Sequence, residues 1–141
     1  MIWFLRHGDA ADGADDFDRP LTPKGKRQSI AAGEALAALG IEIDACLTSP
    51  RVRALETARF ACESLGIEPE VIQALSGGHF DAEELTVGRG EVLLVGHEPD
   101  FSQVVHDLTG ARVEMKKGGL VAVDGRVLVS LLRPTQIKKL S

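Results

Sequence analysis

The fold follows from residues 2–10, which read IWFLRHGDA. The apolar run Ile2–Leu5 passes directly into Arg6 and His7, and Gly8 then interrupts the pattern. A short apolar run that ends in polar and glycine residues is typical of a buried strand. In an open α/β sheet, ligands bind beyond the carboxyl ends of the strands. We therefore expect Arg6 and His7 to lie at a binding edge, where Gly8 lets a ligand approach the backbone.

Short apolar runs recur along the chain and alternate with longer amphipathic ones, the pattern of a sheet flanked by helices. We predict strands at Ile2–Arg6, Asp44–Ser49, Glu70–Leu75, Glu91–Gly96, Leu120–Val123 and Arg126–Leu132. Asp124-Gly125 joins the last two, as in a tight hairpin with positive φ at both turn residues. The expected fold class is α/β, a three-layer α/β/α sandwich whose mostly parallel mixed sheet ends in an antiparallel C-terminal hairpin.

Three long helices are predicted between these strands. Thr22 and Pro23 supply an N-cap and a first-turn proline for the first helix, which runs to about Leu39. The second opens at Pro50, ends before Gly66 and has one apolar face formed by Leu55, Ala58, Cys62 and Leu65. The third extends from about Pro99 to Gly110, with Phe101, Val104, Val105 and Leu108 at helical spacing.

Composition limits the classes of function. The 141 residues are 44% hydrophobic and 26% charged, as expected for a single domain spanning residues 1–141. The net charge of −5 and the lack of a basic stripe argue against nucleic-acid and anionic-membrane partners. No apolar run approaches the ~20 residues of a membrane span. We expect a cytoplasmic monomer or weak dimer, with Cys46 and Cys62 as buried apolar side chains.

Charged and polar residues follow three of the predicted strands at their carboxyl ends. Arg51 and Arg53 come just after Ser49-Pro50, and His97 follows Gly96 directly. Together with Arg6 and His7 they form a set suited to phosphate, because guanidinium groups and helix N-termini bind oxyanions. A neutral imidazole among arginines is also a competent nucleophile for a phosphoryl group. The spacing leaves His7 and His97 both open as that nucleophile.

A metal site is the main chemical alternative. It would use His7, Asp9 and His97, with His79 or Asp100 as a further ligand. Arg6 and Arg53 would repel a bound cation, so the sequence favours an anion and no metal or other cofactor.

Four stretches resemble the motifs of one family. They are Arg6–Ala10 (RHGDA), Arg19–Gly25 (RPLTPKG), Ser49–Ala58 (SPRVRALETA) and Gly96–Pro99 (GHEP). Their order and spacing are similar to those of the histidine phosphatase (phosphoglycerate mutase-like) superfamily, and within it to the short SixA branch of phosphohistidine phosphatases. The resemblance implies that His7 is the phosphorylated nucleophile and that Arg6, Arg53 and His97 hold the phosphoryl oxygens. Gly8, Arg19 and Arg51 are expected to contribute to substrate binding.

The chain departs from the larger members of that family between Gly77 and Gly90. A longer helical insertion with a catalytic acid is common there, whereas this segment has room for a turn or two of helix. Asp81, Glu83 and Glu84 therefore remain open as a general acid.

The expected activity is a cofactor-independent phosphatase that acts through phosphohistidine on a phosphohistidine protein or a small phosphomonoester. A phospho-ligand binding module without turnover and a phosphomutase are the alternatives. The intact set of Arg6, His7, Arg53 and His97 argues against the first. The lack of sequence for a lid that would exclude water argues against the second.

Overall fold

Six strands form one sheet in the computed structural model, which describes residues 1–13 and 15–141. The strands are β1 (Ile2–Arg6), β2 (Ala45–Thr48), β3 (Pro69–Val71), β4 (Val92–Gly96), β5 (Leu120–Asp124) and β6 (Val127–Leu132). Their order across the sheet is β3-β2-β4-β1-β5-β6. The first four strands run parallel, and β5 and β6 join antiparallel. The predicted mixed sheet with an antiparallel C-terminal end is confirmed.

Five helices cover the two faces of this sheet. They are α1 (Pro23–Ala38), α2 (Val52–Leu65), α3 (Ala82–Thr86), α4 (Asp100–Thr109) and α5 (Pro134–Leu140). Helices α1, α2 and α5 pack on one face, whereas α3 and α4 pack on the other, so the three-layer arrangement is confirmed. No helix in the described part of the chain is long and apolar enough to cross a bilayer.

Alternation along β1 explains how the core is divided. Trp3 and Leu5 point into the layer of α1 and α2, while Phe4 points to the opposite layer. There the Phe4 ring meets the Phe101 ring of α4 edge to face, with centroids 5.2 Å apart. All five residues of β4 are buried, because this central strand is covered on both faces.

Three helix ends follow the local sequence signals closely. The Thr22 side chain accepts a hydrogen bond from Gly25 N at 3.0 Å, and Pro23 begins α1, as predicted. Gly66 and Gly110 end α2 and α4 in the left-handed conformation, with φ of 68° and 76°. Cys46 and Cys62 are both buried, as expected.

Three details of the predicted elements are wrong. The third strand covers only Pro69–Val71, and the rest of the predicted run forms a 3₁₀ turn at Gln73–Ser76. Helix α2 begins at Val52 rather than Pro50, and its buried apolar residues are Ala54, Ala58, Ala61 and Cys62, with Leu55 only partly covered. The closely packed alanines let α1 and α2 approach each other.

The hairpin between β5 and β6 also differs from the prediction. Asp124 pairs with Val127, so the two turn residues are Gly125 and Arg126. Gly125 has φ of 60°, whereas Arg126 is not among the residues of positive φ in the described part of the chain. The turn therefore has the pattern of type II′, with glycine at the first central position, rather than type I′.

Candidate active site

His7 and His97 meet because β1 and β4 are parallel neighbours. Arg6 of β1 is in register with Gly96 of β4, so the two following histidines leave the sheet at the same level. The His7 backbone N–H donates to the Gly96 carbonyl at 3.0 Å, and the two imidazole rings lie 5.3 Å apart between centroids. Both histidines are buried. The predicted convergence of strand ends is present.

The hydrogen bonds of His7 determine which ring nitrogen is free. Nδ1 lies 2.7 Å from the Gly8 carbonyl oxygen, which can only accept, so Nδ1 carries the proton. Nε2 therefore holds the lone pair. Burial, followed by the charges of Arg53 and Arg6, lowers the pKa of His7 to about 4. The ring is neutral at neutral pH.

Helix α2 fixes the turn that follows His7. The backbone N–H of Gly8 donates to the Thr57 hydroxyl at 3.1 Å, and that hydroxyl donates to the Arg53 carbonyl at 2.7 Å. Thr57 is completely buried. Sequence patterns did not single out this threonine, although it belongs to the stretch that begins at Ser49.

His97 is held from the neighbouring strand end. Its Nε2 lies 2.7 Å from the Ser49 hydroxyl, which also accepts the backbone N–H of Arg51 at 3.2 Å. Burial, followed by the positive charges of the site, lowers the pKa of His97 to about 3. Nδ1 is buried and has no hydrogen-bond partner among the described residues. A bound oxyanion would satisfy this atom if it carries a proton.

Arg6 projects from the end of β1 with most of its hydrogen-bonding capacity unused. Its Nη1 donates to the Met115 carbonyl at 2.9 Å. Its buried Nε has no partner within residues 1–13 and 15–141. Burial lowers the pKa of Arg6 and the nearby Glu98 carboxylate opposes this, but a guanidinium stays charged at neutral pH. Arg6 is thus a cation with free donors beside His7.

Arg53 is engaged by the polar loop between β1 and α1. Its Nη1 donates to the Asp16 backbone carbonyl at 2.8 Å, and its Nη2 lies 3.4 Å from the Asp16 carboxylate. The same carboxylate binds Nη1 of Arg51 at 2.8 Å and Nη1 of Arg19 at 3.2 Å. Hydrogen bonds from Arg19, together with the charge of Arg53, lower the pKa of Asp16. Three arginines that the sequence assigned to phosphate thus share one exposed carboxylate.

Asp16 is a second residue, after Thr57, that the sequence interpretation did not single out. It stands among Asp9, Asp12, Asp15 and Asp18, and a run of acidic residues of this kind is by itself typical of a solvated loop. Nothing in the local sequence predicts its partners, because two of its arginines come from the start of α2.

Gly8 has a structural role in addition to the expected contribution to substrate binding. A Cβ on Gly8 would lie 2.6 Å from the Gly25 carbonyl oxygen, and a Cβ on Gly25 would lie 2.0 Å from the Asp9 carbonyl oxygen. These distances are too short for any side chain. Close packing of the loop on the first turn of α1 therefore requires glycine at both positions, whatever a ligand needs.

The three candidate general acids lie at the start of α3. Asp81 caps α3 by accepting the Glu84 N–H at 3.1 Å, and Asp81, Glu83 and Glu84 are all exposed. The α3 segment is the short helix expected there. Where the chain is described, no group of three or more His, Cys, Asp or Glu residues is placed to hold a metal ion. The geometry at His7, His97, Arg6 and Arg53 instead suits an oxyanion.

Comparison with the sequences of known proteins identifies the family of the chain. Residues 2–88 match the histidine phosphatase superfamily (branch 1). The chain is 36% identical to an uncharacterized protein of Picosynechococcus sp. over 137 residues, 86% of this chain and 83% of the relative. It is 34% identical over 118 residues to the phosphohistidine phosphatase SixA of Escherichia coli K12, covering 77% and 73% of the two chains.

Comparison with solved structures finds the same fold in SixA proteins. The structure of the protein histidine phosphatase SixA complexed with tungstate superposes with a TM-score of 0.83 at 26% identity. The match covers 97% of this chain and 99% of that one. A putative SixA from Agrobacterium tumefaciens gives a TM-score of 0.80 over 94% of this chain and 97% of that one, at 24% identity.

Proposed function

The chain belongs to the histidine phosphatase superfamily, and on that basis we propose that it hydrolyses phosphoryl groups through a covalent phosphohistidine on His7. The observation that carries the proposal is the hydrogen bond from His7 Nδ1 to the Gly8 carbonyl at 2.7 Å. It leaves the lone pair on Nε2, in a ring that is neutral because burial lowers its pKa to about 4. A neutral imidazole with a fixed tautomer is ready to act as a nucleophile.

Two displacements at phosphorus complete the reaction. In the first, His7 Nε2 forms a bond to phosphorus while the bond to the leaving group breaks, and the leaving group takes the electron pair. In the second, water attacks phosphorus, the P–N bond breaks, and inorganic phosphate and neutral His7 result. Arg6, Arg53 and His97 surround the phosphoryl oxygens, where fixed donors stabilise the charge of the transition state.

Free donors support these roles for the two arginines. A guanidinium has five N–H groups. Arg6 uses one of them on Met115, and Arg53 uses two on Asp16. Both therefore keep donors for a bidentate contact with a phosphoryl group.

The surroundings of the site favour a phosphohistidine substrate. The three carboxylates considered as general acid are exposed on α3, and Asp81 already caps that helix. Expelling an alkoxide without such an acid forfeits about 10²–10⁴-fold in rate. An imidazole leaving group, with an ordinary pKa of about 6.5, needs little help. The name of the E. coli relative, phosphohistidine phosphatase, supports the same class.

Rapid quench with ³²P-labelled substrate tests the covalent step. We expect an acid-labile, base-stable label on His7 that forms and decays no more slowly than turnover. His106→Ala changes an exposed histidine of α4 and is the matched control, which should retain the label. A label on His97, or turnover in the absence of any labelled enzyme, would contradict the proposal.

A substrate panel tests the class. A phosphohistidine peptide, p-nitrophenyl phosphate and a sugar phosphate are compared by kcat/KM, with Asp81, Glu83 and Glu84 each changed to Ala. We expect the first two substrates to exceed the sugar phosphate by at least about 10²-fold, on the scale of a missing general acid. Equal rates that collapse with one of the carboxylate variants would identify a general acid and refute this preference.

A further inference from the structure

A groove of about 310 Å³ lies next to the candidate active site on the side of β5. Its wall includes the cationic side chains of Arg6, Lys24, Lys116 and Lys117, against one carboxylate, that of Asp9. The chain as a whole carries a net charge of −5, so this concentration of positive charge is local. Arg6 lines both the groove and the histidine site, so a ligand bound in the groove lies next to the histidine site.

Hydrogen bonds hold the segment that carries Lys116 and Lys117 against the end of β1, next to His7. Gly118 N donates to the carbonyl oxygens of Arg6 and His7, both at 3.1 Å, and Arg6 Nη1 donates to the Met115 carbonyl. The segment between Met115 and Gly118 is thus tied at both ends to the end of β1. The positive charge of Lys117 also contributes to the lowered pKa of His7, after burial and the two arginines.

The positive charge of the groove is only partly compensated. Lys117 Nζ lies 3.5 Å from Asp9, and Lys116 Nζ lies 2.7 Å from the exposed Glu114. Lys24 has no ion pair within the described residues. The Asp16 carboxylate, in contrast, is already paired with three arginines, Arg19, Arg51 and Arg53. An anionic group that accompanies the phosphoryl group is therefore attracted toward the lysines.

We propose that this groove is a specificity subsite that binds a carboxylate of the substrate next to its phosphoryl group. The inference rests on the proposed function for the position of the phosphoryl group at His7. The carboxylate has two possible sources, an Asp or Glu side chain beside the phosphohistidine of a protein or a carboxylate within a small phosphorylated acid. Both sources present the same chemistry to Lys24, Lys116 and Lys117.

Inert ligands test the subsite independently of turnover. The small pair is benzylphosphonate and 4-carboxybenzylphosphonate. The peptide pair carries a stable phosphonate analogue of phosphohistidine flanked by Glu or by Gln. Kd is measured by calorimetry for the natural sequence, for Lys117→Gln and for the triple variant Lys24→Gln/Lys116→Gln/Lys117→Gln. Lys139→Gln, an exposed lysine of α5 outside the groove, is the control.

We expect the natural sequence to bind the carboxylate member of at least one pair about fivefold more tightly, the upper range for one exposed ion pair. The triple variant should lose this preference, Lys117→Gln should lose part of it, and Lys139→Gln should keep it. A preference within the peptide pair assigns the carboxylate to a phosphoprotein, and one within the small pair assigns it to a metabolite.

The subsite is refuted by equal affinities within both pairs, or by a preference that survives in the triple variant. Hydrolysis of p-nitrophenyl phosphate is measured separately. Its absence would refute the proposed function, while the Kd ratios would still decide whether the groove selects carboxylates.

Discussion

The candidate site has two regions, an inner pocket of His7, His97 and Arg6 and an outer rim of Asp16, Arg19 and Arg51. They differ in whether their polar and charged groups have partners within the protein. The inner pocket is largely buried and keeps two polar atoms, Arg6 Nε and His97 Nδ1, that have no hydrogen-bond partner in the described part of the chain. In the rim, which is more exposed, the carboxylate of Asp16 pairs with the arginines. Arg53 belongs to both, since it reaches the Asp16 loop from a buried position.

Because of this difference, we expect the inner pocket to bind a ligand more strongly than the rim. Unsatisfied buried donors are costly in the free protein, and a ligand that satisfies them gains correspondingly. Ion pairs at the surface contribute only about 0–1 kcal/mol. The inner pocket should therefore dominate catalysis, and the rim should tune affinity.

The largest expected effect is on the inner pocket. His7→Ala removes the nucleophile and should lower kcat by at least about 10³-fold, with no residual enzyme label. Steady-state rates on a phosphohistidine peptide measure this, with His106→Ala as the unaffected control. If His7→Ala kept more than a tenth of the rate, the inner pocket would not be the reaction centre.

The arginines test where the inner pocket ends. Arg6→Ala and Arg53→Ala should each lower kcat by about 10²-fold, the scale of one lost oxyanion donor. Arg51→Ala should cost much less, because its side chain lies in the more exposed rim, 29% exposed against 10% for Arg53, where ion pairs contribute little. Equal losses of kcat in Arg51→Ala and Arg53→Ala would contradict the division of the site into pocket and rim.

The pH response of the two histidines gives a sharper test of burial. NMR titration of the ring carbons should give midpoints of about 4 for His7 and about 3 for His97. These pKa values lie below the unfolded value of about 6.5, so the unfolded chain binds more protons between pH 6.5 and 4. Stability should therefore fall as the pH is lowered through that window. Midpoints near 6.5 would mean that water reaches both rings.

The smallest expected effect concerns the rim. Asp16→Asn removes one exposed negative charge beside three arginines, so tungstate should inhibit about threefold more strongly. Asp18→Asn changes a neighbouring exposed carboxylate and should leave the inhibition constant unchanged. Weaker inhibition in Asp16→Asn would show that the carboxylate chiefly positions Arg53.

Local sequence signals predict most of the sheet and the long helices, because strands and caps depend on neighbouring residues. β1 has its predicted bounds, and α1 begins at Pro23 after the Thr22 cap. Helix α5 escaped prediction because its buried residue is Ile137 and no apolar periodicity marks it. The third strand was overextended because Val71 and Leu75 look alike in sequence, although only the former lies in a strand.

The histidine site was more predictable than its surroundings. Strand ends place Arg6, His7 and His97 together by topology alone, so motif and position suffice. The rim depends on a loop conformation that brings Asp16 to Arg51 and Arg53, 35 and 37 residues away. Such long-range pairing leaves no local pattern. The groove could not be predicted either, because Lys24 and Lys117, which line it, are far apart in the sequence.

The contact between Gly8 and Gly25 has a genetic consequence. Both close approaches are to backbone oxygens, so trimming a neighbouring side chain cannot make room for a new methyl group. Only a displacement of α1 against β1 would do so, and it would carry Lys24 and Gln28 with it. Damage at Gly8 or Gly25 should therefore lack second-site suppressors among side-chain substitutions. Selection for revertants of Gly25→Ala should return glycine itself, even from a large mutant library.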